Sequence, residues 1–227
     1  MSQKLDGRLS CAAALVRGGR LADVGTDHAY LPVSLLLDGR IEYAVASDIN
    51  SGPLARARET VQRNGLADKV DLVLTDGLHG IDAYCPDDIA ILGMGGELIA
   101  SILDAAEWVK HEKYRFILQP MTKRAELREY LITHGFFIEN ELVAEAEGRI
   151  YQTVCASYVG KNTSYSLPEL LLGRHNIERG DGLTARYAAQ LEATYTAIVR
   201  NKSRAGADAR AELAALDALR QLNLTER

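Results

Sequence analysis

Residues Leu21 to Leu37 read "LADVGTDHAYLPVSLLL": an apolar run, one glycine, a polar stretch, then a second apolar run. This is the strand, turn and helix that opens a nucleotide-binding fold, but only Gly25 is there. The later glycines of G-x-G-x-x-G, which let backbone amides approach a pyrophosphate, are missing. Asp23 and Asp27 stand where the phosphate would come, and Asp27 would repel it. S-adenosylmethionine has no phosphate, and its sulfonium and ammonium make the same carboxylates attractive. The sign of the charge therefore selects the ligand. Pro32 lacks the N–H that an interior helix position supplies, so the helix is expected to begin near Leu31. Thr26 to Tyr30 then form an extended loop able to wrap the methionine part. The plainer alternative is that Asp27 caps a helix while His28 and Tyr30 pack locally.

Outward from this stretch, short apolar runs alternate with helical ones. "EYAVASDIN", "KVDLVLTDG", "DIAILGMGG" and "YRFILQP" read as further strands; "SGPLARARETVQRNG", "ELIASILDAAEWV" and "KRAELREYLITHG" read as helices. Strands separated by single helices imply right-handed crossovers and a mostly parallel sheet covered on both faces. The rhythm then changes, because "FFIENELVAEAEGRIYQTVCASYV" holds two strand-like runs joined at Gly148, an antiparallel hairpin. Five parallel strands closed by a hairpin are the α/β layout of class I methyltransferases, a Rossmann-like seven-stranded sheet.

From Gly160 the chain turns polar, and Ser166 with Pro168 marks a new helix start. A boundary is placed there, giving a methyltransferase domain over residues 1–160 and a helical domain over 161–227. Leu183, Tyr187, Leu191, Thr194 and Ile198, then Leu213, Leu216, Leu219 and Leu222, recur at helical spacing. They predict two amphipathic helices in a coiled-coil-like antiparallel hairpin bent near Gly206. The tail has ten Lys plus Arg against eight Asp plus Glu, so it carries +2 of a total formal charge of −5 and the front carries −7. Arg200, Lys202, Arg204 and Arg210 gather at the bend, as a patch contacting a nucleic-acid backbone would, or as an ordinary solvated loop would. Cys11, Cys85 and Cys155 are far apart in sequence and show neither a disulfide framework nor zinc spacing. "CAAALV", after Lys4, Asp6 and Arg8, is too short for a signal segment, and no run reaches spanning length. A reduced cytoplasmic setting, no membrane, no metal and a monomer are the expectations.

Asp48 ends the second strand, twenty-three residues after Gly25, at the spacing of an acid that accepts ribose hydroxyls. Asp76, in "LTDG", stands where an adenine amino group is received, or is a turn-forming Asp-Gly. "GMGG", Gly93 to Gly96, strips side chains from the carboxyl end of the fourth strand, where substrate meets cofactor; a tight turn is the alternative. Gln119, at the end of the fifth strand, is placed either on the base edge or as a strand cap.

"ADVGTDHAYLP", "SDIN", "TDGL", "GMGG" and "LQP", in that order and with a helical tail beyond residue 160, resemble the bacterial tRNA (adenine(22)-N1)-methyltransferase family, the TrmK-like proteins. The resemblance covers essentially the whole chain. It implies S-adenosylmethionine bound through Asp23, Gly25, Asp27, His28, Asp48, Asp76 and the Gly93 to Gly96 loop, with Ile49 and Gly77 beside their acids. It also implies a C-terminal helical domain that assists tRNA binding. Asp27, Tyr30 and Met94 are the candidate catalytic group: Asp27 to stabilise developing positive charge, Tyr30 to stack on a flipped base. Adenine N1 offers an in-plane lone pair and needs no base. The acceptor-rich proline motif of N6-methylating enzymes is absent at the fourth strand. A small-molecule methyltransferase and a non-catalytic RNA-binding module stay open on the residues alone.

Overall fold

The computed structural model describes residues 5–222 and residue 224; the outer ends of both expected domains lie outside the described residues. Helix α1 (Gly7–Leu15) precedes the first strand, capped by Asp6, whose side chain accepts from the Leu9 amide. Then β1 (Arg20–Val24), α2 (Tyr30–Leu37), β2 (Tyr43–Asp48), α3 (Ser51–Arg63), β3 (Val70–Leu74), β4 (Asp88–Gly95), α4 (Gly96–Asp104), β5 (Arg115–Thr122), α5 (Arg124–Thr133), β6 (Phe136–Ala146) and β7 (Arg149–Tyr158) follow. The strands form one seven-stranded sheet in the order β3-β2-β1-β4-β5-β7-β6. The first five are parallel, and β7 runs antiparallel to both β5 and β6. The order reverses between β1 and β4, and that switch point opens a crevice at the strands' carboxyl ends.

The central strands are apolar through their length because helices cover both faces. Ile89, Ile91, Phe116 and Leu118 pack on one side with Ile99, Leu103, Leu127 and Leu131 of α4 and α5; Leu21, Ala44 and Ile117 pack on the other with α1, α2 and α3. Gly96 explains how α4 and α5 come so close. A Cβ there would collide with the Lys123 carbonyl and stand 3.1 Å from the Leu127 Cβ. The hairpin turn carries Glu147 and Gly148 at φ 51° and 72°, the left-handed pair a two-residue connection requires.

Beyond residue 160, α6 (Leu167–Leu172) starts after Ser166 as expected, with a capping box closed by Glu169 and Pro168 following Leu167, and leads to α7 (Arg174–Arg179), α8 (Gly182–Arg204) and α9 (Arg210–Gln221). The bend at Gly206 is as expected, and ion pairs Lys202–Glu212 and Arg220–Glu192 show that α8 and α9 run antiparallel. This pair does not stand alone. Leu171, Leu172, Tyr187, Ala188, Ala215 and Leu219 share a core with Ile150 of β7, and Val143 of β6 packs against it. The leucine stripe is also uneven: Leu216 and Leu219 are buried, whereas Leu213 is exposed.

Candidate active site

Asp23 sits on β1 opposite Ala46 of β2 and Ala90 of β4. Small neighbours on both sides of a central strand bury its carboxyl almost completely. The chain then turns at Gly25 (φ 76°), where the Gly25 and Thr26 amides both donate to the Ser47 carbonyl at 2.8 and 2.9 Å and tie the turn to β2. A Cβ on Gly25 would run into the Met94 methyl group. The helix starts one residue earlier than the proline suggested, at Tyr30. Ala29 takes a left-handed φ of 54°, its amide donating to Thr26 Oγ1 at 3.1 Å. Pro32 therefore occupies the third helical position, still within the first turn, where no intrahelical partner for an N–H exists. Thr26, not Asp27, makes the cap-like contact.

This turn forms one wall of a cleft of about 470 Å³. Asp23, Gly25, Asp27, His28 and Tyr30 line it together with Gly93. His28 and Tyr30 stack, ring centroids 4.8 Å apart and planes 7° from parallel. Asp27 is largely exposed and pairs with Arg56 of α3, and its Oδ2 lies 3.4 Å from His28 Nε2. Lining residues that were not foreseen include Asp6, Arg8 and Leu9 at α1, Leu92 from β4, Met121 from β5 and Tyr151 from β7. Asp6 just before the "CAAALV" run was the signal for α1; nothing local marked Met121 or Tyr151, which arrive by strand pairing.

Asp48 ends β2 with its carboxylate accepting from the Asn50 amide at 2.7 Å, and Ile49 beside it is exposed. Asp76 and Gly77 border a second cavity of about 880 Å³, with Leu98 and Ile102 of α4 on its far side. The acids expected on the ribose and adenine thus lie on one flank of the β1 turn, and the 470 Å³ cleft on the other.

Two expectations are corrected. Gln119 is not on a base edge: it lies within β5, has no exposure, and donates Nε2 to Thr153 Oγ1 at 3.0 Å and to the Arg8 carbonyl at 3.2 Å. The "GMGG" glycines do not all clear the crevice. Only Gly93 lines the cleft; a Cβ on Gly95 would face Thr122 Oγ1 at 3.2 Å, and Gly96 serves helix packing. Met94 sits at a register shift between β4 and β5, which turns its side chain onto Gly25. At the distal bend, Lys202 pairs with Glu212 and Arg210 with Asp208, while Arg200 and Arg204 form no ion pair with any described residue. Half of the anticipated patch is thus neutralised within the fold.

Burial pushes the Asp23 carboxyl up to about 6; a hydrogen bond from the Thr26 side chain and the charge of Arg8 restrain the rise. A raised folded value means that Asp23 supports the fold fully below the ordinary 3.8 and that this support is lost as pH rises through about 6. A cationic ligand that needs the ionised form must expel the proton below that point. Affinity for such a ligand should therefore fall about tenfold per pH unit below about 6. Calorimetric titrations across this range check it, and Asp23→Asn should flatten the profile.

Asp23, the glycine turn and Asp48 suit a nucleoside carrying positive charge; among the described residues no three His, Cys, Asp or Glu side chains gather as a metal site. No helix among the described residues is long and apolar enough to cross a membrane. Residues 5–154 match a family model described as a methyltransferase domain. The tRNA (adenine(22)-N(1))-methyltransferase of Bacillus subtilis is 35% identical over 163 residues, covering 71% of this chain and 68% of that protein. The crystal structure of the B. subtilis M1A22 tRNA methyltransferase TrmK matches with a TM-score of 0.81 at 30% identity, covering 98% of this chain and 97% of that one. Streptococcus pneumoniae Sp1610, solved in complex with S-adenosyl-L-methionine, matches with a TM-score of 0.86 at 27% identity, over 96% of this chain and 99% of that one.

Proposed function

We infer how this site works from the premise that the chain belongs to the tRNA (adenine(22)-N1)-methyltransferase family: it transfers a methyl group from S-adenosylmethionine to N1 of an adenine in tRNA. The observation that carries the reading is the charge of the β1 turn. Where a dinucleotide enzyme presents glycine amides to a pyrophosphate, this one presents a buried Asp23 and an exposed Asp27.

The cofactor, when bound, supplies an electrophilic methyl group on a cationic sulfur. Everything else is alignment and electrostatics. Adenine N1 is a neutral ring nitrogen whose lone pair lies in the plane of the base, so the chain need not remove a proton before attack. Holding N1 in line with the methyl group is worth roughly 7–11 kcal/mol in well-oriented reactions. The His28–Tyr30 stack gives a target base, taken out of the tRNA stack, a flat face to lie on at the rim of the cleft. Asp27 stands close enough to offset the positive charge that the base acquires, once Arg56 yields it. Asp48 holds the ribose hydroxyls and Asp76 the adenine amino group, Ile49 and Gly77 flanking them. Met94, packed over Gly25, would back the turn that holds the cofactor.

The tail assists tRNA binding, with Arg200 and Arg204 at its bend forming no ion pair with any described residue and Lys202 and Arg210 held by their acids. Adenosine 22 is the target nucleotide on this reading, and a cytoplasmic monomer is the working form. Three cysteines left as free thiols support the cytoplasmic setting.

Primer extension on unmodified tRNA incubated with protein and cofactor tests the choice of nitrogen. N1 methylation removes the Watson–Crick acceptor, so a reverse-transcription stop at the modified adenosine is expected. Read-through with recovered N6-methyladenosine would overturn the assignment.

A further inference from the structure

We infer that α3 (Ser51–Arg63) is a contact surface for the tRNA backbone and that Arg56 passes from Asp27 to a phosphate beside the target nucleotide when the RNA docks; this rests on the function proposed above. The sheet domain carries −7, yet α3 holds Arg56, Arg58 and Arg63 against Glu59 alone, a net +2 and the highest among the described helices around the sheet. Leu54, Ala57, Thr60 and Val61 face inward, and all three arginines are exposed. Arg56 and Arg63 are seven residues apart, so they lie on one side of the helix, roughly 10 Å from each other along its axis. Arg58 and Arg63 form no ion pair with any described residue, and Glu59 forms none with either.

Arg56 ties this surface to the cleft. Its Nε donates to Asp27 Oδ1 at 3.0 Å, and Nη2 donates to the same oxygen. Asp27 lines the cleft beside His28 and Tyr30, which puts the guanidinium at the rim where the target base enters. A carboxylate neutralised by a guanidinium offers little to a second cation, so the pair must open before Asp27 can face the base made positive by methylation. The substrate supplies the new partner. Each nucleotide carries a phosphate, and one taken out of the stack onto His28 and Tyr30 brings its own to this rim. The guanidinium fork fits a phosphate well, and an exposed pair such as Asp27 with Arg56 is weak enough to exchange. After the exchange Asp27 keeps its other neighbour, His28 Nε2, 3.4 Å from Oδ2, and stays beside the stack. Docking of the RNA thereby uncovers the charge that the reaction uses.

Binding of unmodified tRNA to the full chain, measured over a salt series without cofactor, reads this surface directly. Arg56→Gln should weaken binding roughly threefold to tenfold at physiological salt and lower the slope of log affinity against log salt by about one. Adding Arg63→Gln should lower that slope by about two in total. Arg56→Lys should keep most of the slope, because a lysine still neutralises a phosphate. Glu59→Gln should act in the opposite direction and tighten binding, which a general loss of structure cannot do. Melting temperatures should stay at the wild-type value in every variant. Wild-type affinity and slope in the Arg56→Gln, Arg63→Gln double variant would overturn the inference, as would a loss of affinity that ignores salt. Slower methyl transfer by Arg56→Gln with unchanged tRNA binding would also overturn it, leaving Arg56 a support for Asp27 only. Failure of the underlying reading shows elsewhere: wild type then gives no reverse-transcription stop, while the salt slopes still decide what α3 contacts.

Discussion

Gly25→Val is expected to abolish practical binding of S-adenosylmethionine while the protein stays folded. Gly25 holds φ 76°, a region in which a branched side chain is strained, and any Cβ there meets the Met94 methyl group. Holding valine in such a conformation costs on the order of 1–3 kcal/mol, and each ~1.4 kcal/mol is about tenfold in affinity. Adding the displaced Met94, the loss should be about a hundredfold or more. The turn can escape the strain by giving up its amide bonds to the Ser47 carbonyl, which moves Thr26 to Tyr30 off the cleft. Either response removes the cofactor wall. Titration calorimetry with a thermal melt on the same sample reads both quantities. Adding Met94→Ala should recover only the steric part, because the backbone strain remains; wild-type affinity in the single variant would show that the cofactor does not use this turn.

Arg128→Met should be the most destabilising single change, by about 3–5 kcal/mol. Arg128 is fully buried beneath α6, with Nε on Glu141 at 2.5 Å, Nη1 on the Leu170 carbonyl at 2.9 Å and Nη2 on Gln152 Oε1 at 2.8 Å. Glu141 also accepts from the His175 amide at 3.2 Å. Burial alone would raise the Glu141 carboxyl, but the Arg128 charge and the hydrogen bonds from His175 and Arg128 hold it below its ordinary 4.5. Its support of the fold is therefore complete above that value and is lost as acid takes the pH down through the lowered one. Removing the arginine strands a carboxylate at the joint of α5, β6, β7, α6 and α7. Urea denaturation gives the size of the effect. The double change Arg128→Met with Glu141→Leu should restore much of the loss, since a pair of apolar residues leaves no unpaired charge. A double variant as unstable as the single one would show that packing, not charge, sets the cost.

The same network explains why cutting the chain near Gly160 is not a clean division. α6 and α7 supply the Leu170 carbonyl and the His175 amide that this buried pair requires, and Leu171 and Leu172 close the core over Ile150. Charge reversal at Arg200 and Arg204 is the sounder probe of the tail, because neither is tied into the fold by an ion pair with a described residue.

What the sequence determined by itself is whatever local periodicity and turn chemistry encode. Alternating apolar runs and helices set the parallel sheet, Gly148 set the closing hairpin, Ser166 set the start of α6 and Gly206 the bend between α8 and α9. The carboxylates at a single-glycine turn, where phosphate would otherwise sit, already selected a cationic ligand. The tertiary structure alone decided which of those residues face the cleft. Gln119 and Gly95 look like site residues along the chain, but strand pairing turns one inward onto Thr153 and the other onto Thr122. Arg128, in "ELREY", reads as one more solvent-facing helix charge, and Arg8 as one more charge ahead of "CAAALV"; each finds its partners more than ten residues away. Burial, and with it the charge state of Asp23 or Glu141, is a property of packing between distant segments, and no local pattern in the chain records it.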